Sequence, residues 1–140
     1  MEKVKESTKE NSKILWEETI LGEPASKSNS RRIIRIGKQP RIIKSKKALD
    51  YLTSMQHQLS NLCKDMDLIE GDLSIYFDVW YCTRRPDLDI ELIKDGMQGW
   101  VYKNDRQVRE QHAKWHKDSD HPRCLIRVLM YEDEEKILNL

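Results

Sequence analysis

The period at which apolar residues recur changes along the chain, and each change marks an element. In LSIYFDVWY, Leu73, Ile75, Phe77 and Val79 alternate with Ser74, Tyr76, Asp78 and Trp80, the period of two expected of a half-buried strand. Upstream, Leu49, Leu52, Met55, Leu59 and Leu62 recur at spacings of three and four, which predicts a helix with one apolar stripe and Ser45 as its N-cap. Ile14, Trp16, Thr19 and Leu21 predict a first strand ending near Gly22, and GEPASKSNS reads as a loop. RRIIRI and PRIIK, separated by Gly37-Lys38-Gln39, predict a hairpin with basic residues on its exposed positions. After the alternating strand, Pro86 cannot donate to a ladder. A short helix is expected from about Leu88 to Gln98, with Gly99 as its stop. Gly96 inside that helix costs about 1 kcal/mol relative to Ala, which points to close packing there. Lys103-Asn104 reads as a turn before another strand, and Arg123–Tyr131 is apolar enough for a central strand. The expectation is an α+β fold: a single compact domain, with a mixed β-sheet packed with two helices.

Composition bounds the class. A chain of 140 residues with 35% charged residues is the size of one ordinary domain with a wet surface. It has no apolar run of the ~18 residues that a membrane span needs. MEKVKESTKENSK carries no hydrophobic signal region, so a cytoplasmic, intracellular protein is expected. Cys63, Cys82 and Cys124 are odd in number and widely spaced, as suits reduced structural thiols. The net charge of +1 hides a strong asymmetry. Lys27, Arg31, Arg32, Arg35, Lys38, Arg41, Lys44, Lys46 and Lys47 fall in a stretch without an acid, whereas Glu132, Asp133, Glu134 and Glu135 follow Tyr131. The domain is therefore expected over 13–131, with a loose polar segment at 1–12 and an acidic tail at 132–140. An acid-free basic arm favours phosphate contacts, which are sequence-independent and salt-sensitive.

The candidate chemistry lies between Arg84 and Val108. Asp87 and Asp89 fall where the strand ends and the helix starts, and Asp105 returns after that helix. Such carboxylates can converge on a hard cation; Mg²⁺ usually takes one or two of them with waters and phosphate oxygens. The plainer reading has Asp87 capping the helix, Asp89 at its positive end and Asp105 in a turn. Arg84 and Arg85 stand just before the acids, placed to hold a nucleic-acid strand. Asp78 and Glu91 are further acids in reach of the same region, more ordinarily solvated. Trp80 and Trp100 flank it, with base stacking set against a core or dimer role. His112, His116, His121 and Cys124 raise a zinc site. A strand-like run, the intervening KDSD and the lack of a second nearby cysteine weigh against it.

RRPDLD, then Asp95, then QGWVYKNDRQV, together with the loop GEPASKSNSRR and the helix opening SKKALDY, resemble the RusA family of Holliday junction resolvases. The likeness spans roughly Ile20 to Met130. It implies a RusA-like fold and a homodimeric, Mg²⁺-dependent endonuclease (Mn²⁺ substituting) that makes paired nicks in four-way DNA. That activity would serve recombination and repair in a cell or its phage, with no membrane or small-molecule partner. The family's catalytic, metal-binding aspartates fall on Asp87, Asp89 and Asp105. Its residue after the second Asp is usually Asn, with a functional Lys four positions on from that aspartate. Here those positions are Ile90 and Ile93. Lys94, one residue late, is the expected replacement, with Lys103 as the other candidate. Asn104 stands where the family has a further acid. The altered lysine keeps two alternatives open, a non-catalytic branched-DNA-binding accessory protein and a flap or fork nuclease.

Overall fold

A computed structural model of the protein describes residues 13–26 and 31–132. The segment at 1–12, Lys27 of the basic arm and the tail from Asp133 lie outside the described residues. Strands β1 (Ile14–Leu21), β2 (Arg31–Ile36) and β3 (Gln39–Lys44) lead into helix α1 (Lys46–Leu62). Strand β4 (Leu73–Tyr81), helix α2 (Glu91–Met97), β5 (Val108–Lys117) and β6 (Arg123–Met130) complete the order. The main sheet runs β1-β6-β4-β5, and β2-β3 form a separate two-stranded ribbon. β4 pairs with β5 in parallel and with β6 antiparallel, so the sheet is mixed. Parallel neighbours need a crossover, and α2 lies in it. The expected α+β architecture is the one found, with the last strand central as its apolar content indicated.

The alternation of β4 separates the two faces of the sheet. Leu73, Ile75, Phe77, Val79 and Tyr81 are buried and point into the core with Ile20, Cys124, Ile126 and Val128. The opposite face is polar and satisfies itself across strands. Trp80 stacks on His116 at 4.4 Å, and the Arg123 guanidinium sits 4.1 Å from the Trp80 ring. Tyr76 stacks on His112, while Asp78 accepts from His116 at 2.7 Å. Adjacent cross-strand side chains interact strongly enough to stabilise a sheet face. His112 and His116 therefore lie on a strand, each tied to a carboxylate, Glu110 and Asp78 respectively. Cys63, Cys82 and Cys124 are free thiols. Among the described residues no helix is long and apolar enough to cross a membrane.

Helix α1 is capped as expected: the Ser45 hydroxyl accepts from the Ala48 N–H at 3.2 Å. Its buried stripe is Ala48, Tyr51, Met55 and Leu59, rotated from the predicted one. Leu49 is half exposed, and Leu52 and Leu62 pack at the margin of the core. The reason is that Ala48 and Tyr51, omitted from a leucine-based pattern, fit the same 3.6-residue period better. Gln58 ties the helix to the edge of the sheet, accepting from the Leu21 N–H at 2.7 Å and donating to the Leu21 carbonyl at 3.0 Å.

Close packing at Gly96 is realised against α1. A Cβ there would collide with the Met55 sulfur and stand 3.3 Å from Leu52 Cδ2. Gly96→Ala would gain about 1 kcal/mol of helix propensity, but overpacking a fully buried contact typically costs about 1–3 kcal/mol. The expected result is a net loss of about 1 kcal/mol, read as a lower urea midpoint at unchanged m-value. A gain in stability would show that Met55 repacks freely.

Candidate active site

The acidic loop from Cys82 to Ile90 is irregular, and long-range contacts hold it. The indole N–H of Trp115, on β5, donates to the Pro86 carbonyl at 3.0 Å. The Asp89 N–H donates to the hydroxyl of Tyr81, at the end of β4, at 3.3 Å. Tyr81 and Trp115 stack in turn with ring centroids 6.0 Å apart. A Glu23 carboxylate oxygen accepts from the Cys82 N–H at 2.6 Å. These anchors delay the helix: α2 begins at Glu91 rather than near Leu88 and ends at Met97. Asp89, not Asp87, serves its first turn, with Oδ1 accepting from the Glu91 N–H at 3.1 Å. Asp87 is exposed in the loop and Asp89 is half-buried.

Asp105 opens a short 3₁₀ turn, Asp105–Gln107, that intervenes between the expected turn and β5. Two contacts place it against the end of α2. Its N–H donates to Gln98 Oε1 at 2.7 Å, and its Oδ1 accepts from the Tyr102 hydroxyl at 2.8 Å. Tyr102 is fully buried. Burial first, then the hydrogen bond to Asp105 and the nearby charges of Asp105, Asp95 and Glu91, push its phenol far above the ordinary range. The hydroxyl therefore stays protonated and donating at any working pH. Asn104 caps the turn by accepting from the Arg106 N–H at 2.9 Å. Gln107 closes it: Oε1 accepts from the Lys103 and Asn104 N–H groups at 3.0 Å each, and Nε2 donates to the Ile69 and Gly71 carbonyls at 2.9 Å each.

Asp89 thus precedes α2, and Asp105 is held against it from the following turn through Gln98 and Tyr102. Among the described residues no three His, Cys, Asp or Glu side chains gather into one metal-ligand group. The donors are all hard oxygens, and Asp87 and Asp89 offer within one loop the one or two carboxylates that Mg²⁺ takes. The donor set therefore suits a magnesium ion without a three-carboxylate cage.

The cations are placed unevenly. Lys94 Nζ donates to Gln111 Oε1 at 2.9 Å and pairs with Glu91 at 3.5 Å, and its side chain is only 14% exposed. Ile93, the neighbouring position, is fully buried. Two residues of the hairpin do reach the acids: Arg31 and Lys44 line a groove of about 250 Å³ with Leu88, Asp89, Glu91, Leu92 and Asp95. Lys44 Nζ is 3.7 Å from Asp95 Oδ2. Arg32, Arg35, Lys38 and Arg41 lie exposed along the ribbon, Lys46 and Lys47 are exposed at the start of α1, and Arg84 and Arg85 are exposed in the acidic loop. Lys103 is exposed beside the 3₁₀ turn.

A groove in which carboxylates from a strand–helix junction face cations from a basic ribbon fits enzymes that act on phosphodiesters. A family model described as endodeoxyribonuclease RusA matches residues 22–129. The chain belongs to the RusA endodeoxyribonuclease family. No curated protein matches it. The RusA match takes in the ribbon, both helices, β4, β5 and nearly all of β6, and so contains Asp87, Asp89, Lys94, Asp105 and every residue of the groove. β1, the outer strand beside β6, falls before it.

Sequence reasoning missed Tyr81, Tyr102, Trp115, Gln98 and Gln107, which hold the acids rather than carry charge. For Tyr81 there was one signal: it continues the inward phase of β4 at the strand end, where a phenol emerges from the core. Asp78 proves to be remote from the groove in function, since it serves the polar outer face with His116 and Arg127. Trp80 belongs to that same outer face, and Trp100 packs against the core.

Proposed function

We propose that this RusA family member is a Mg²⁺-dependent endodeoxyribonuclease that resolves four-way DNA junctions by paired nicks in recombination and repair. The observation that carries this reading is the groove, where Asp89, Glu91 and Asp95 meet Arg31 and Lys44. Asp87 and Asp89 would hold the ion, with Asp105 as the third acid, and Mn²⁺ would substitute. When bound, Mg²⁺ supplies Lewis-acid polarisation of a phosphate and a more acidic water. The chain does the rest. Tyr102 fixes the Asp105 carboxylate, while the Asp89 backbone is held by Tyr81. Arg31, Lys44 and Lys94 neutralise phosphate charge, and the exposed cations of the ribbon, of α1 and of Arg84 and Arg85 position the backbone. Lys27 belongs to this arm by sequence. Two matched cuts call for two copies, so a homodimer with one groove per subunit completes the reading.

A second reading, a branched-DNA-binding protein without turnover, draws on the buried Ile93 and on Lys94 being engaged by Gln111 and Glu91. Incubation with a labelled four-way junction, a flap, a fork and a matched duplex, in Mg²⁺ or EDTA, decides between them. Paired nicks confined to the junction and lost in EDTA are the expected result. Junction binding with no cleavage in Mg²⁺ or Mn²⁺ would establish the second reading. Preferential cutting of flaps or forks would mark a different nuclease.

A further inference from the structure

We propose that an apolar ridge on the β2–β3 ribbon, Ile33 with Ile42, docks on unstacked bases and makes the protein prefer branched DNA to intact duplex. This rests on the DNA-nuclease reading above and adds to it how the substrate is told apart from ordinary DNA. Ile33 and Ile42 are direct cross-strand partners, and they are 71% and 67% exposed. Residues two apart on a strand share a face, so Arg31 and Arg35 flank Ile33, while Pro40 and Lys44 flank Ile42. The ridge is thus apolar and bordered by cations. Gly37, at φ +66° in the first central position of the turn, closes the ribbon tightly. The same face runs into the acidic groove, because Arg31 and Lys44 line it.

The occupant follows from charge. A second copy laid on this face in a twofold contact would bring Arg31, Arg35 and Lys44 against identical cations, which is repulsive. A polyanion is drawn to those cations, yet phosphates offer nothing to two isoleucines. Base faces do, and isoleucine is among the side chains that wedge between bases. In an intact duplex those faces are covered by their neighbours; at a branch point the stack is interrupted. Seated there, the ridge would deliver the adjoining strand along Arg31 and Lys44 to Asp89.

The test uses the full chain and its Ile33→Ser/Ile42→Ser variant. Binding is measured in EDTA to a four-way junction carrying 2-aminopurine beside the branch point and to a matched duplex. Wild type is expected to raise 2-aminopurine fluorescence at the branch. The double variant is expected to lose about tenfold in junction affinity, no more than the burial of one isoleucine side chain provides. It should lose less than about twofold on duplex, where cation contacts dominate, and leave the fluorophore quenched. Ile33→Val/Ile42→Val should behave as wild type. Both pairs are exposed, so thermal unfolding should be unchanged. An equal loss on both DNAs, or a wild type that leaves the fluorophore quenched, would overturn the proposal. So would a change of oligomeric state in the variant, which would make the ridge a subunit contact. Nicking in Mg²⁺ is scored separately on wild type: its absence would sink the nuclease reading while the unstacking result still decided the ridge.

Discussion

Asp89→Asn is expected to lower DNA nicking by about a thousandfold, the loss typical of removing one group that stabilises charge in a transition state. Junction affinity should be unchanged or higher. The substitution isolates charge from structure. Asp89 also supports the first turn of α2, with Oδ1 accepting from the Glu91 N–H, and its own N–H is held by Tyr81. Asparagine keeps an oxygen that can accept from the Glu91 N–H, and its short side chain suits such local turns as aspartate does, so unfolding should move by less than about 0.5 kcal/mol. Asp89→Ala would lose both the charge and the hydrogen bond from the Glu91 N–H and should therefore melt earlier as well. Quantitative nicking assays on the junction, paired with urea melts of all three proteins, check this. Retained nicking by Asp89→Asn would remove Asp89 from the chemistry and leave it a support of the turn into α2.

How much of this was legible in the sequence depends on range. β4 was legible because one of its faces is core, and its inward phase from Leu73 to Tyr81 is unbroken. The hairpin was legible because Gly37 punctuates two short β-branched runs. The α1 helix is legible, but Leu49, which its leucine pattern turns inward, is half exposed. Ala48 and Tyr51 take the inward positions instead, because small and aromatic residues bury as well as leucine when the period places them inward. α2 starts later than its local pattern predicts because the loop before it is held by Trp115 and Tyr81. These contacts join segments that no local pattern relates. The same holds for the groove: Arg31 and Lys44 reach Asp89 and Asp95 only because the ribbon folds back on α2. Asp78 looked like a candidate acid on the polar phase of β4. That phase faces away from α2, and its carboxylate is committed to His116 and Arg127.

Gln107→Ala is expected to destabilise the protein by about 3 kcal/mol, more than most single substitutions. Each hydrogen bond contributes a net ~1 kcal/mol, and this one amide makes four, two through its oxygen and two through its nitrogen. The partners are backbone groups of two segments distant in sequence: Lys103 and Asn104 on one side, Ile69 and Gly71 on the other. Three of the four bonds lie at exposed positions, where water compensates for part of the loss, so the figure falls below the simple maximum. Gln107→Glu separates the halves. It retains an acceptor for the two N–H groups but turns a second oxygen toward the Ile69 and Gly71 carbonyls, so it should destabilise at least as much as Ala. Because Asp105 lies inside the turn that Gln107 closes, both variants should also reduce nicking at temperatures where they remain folded. The Asp105 side chain keeps its Tyr102 partner in both, so that reduction should be smaller than for Asp89→Asn. Urea unfolding and junction nicking at low temperature read the two effects apart. A Gln107→Ala protein as stable as wild type would show that water replaces the amide completely, and that Tyr102 and Gln98 alone hold Asp105 in place.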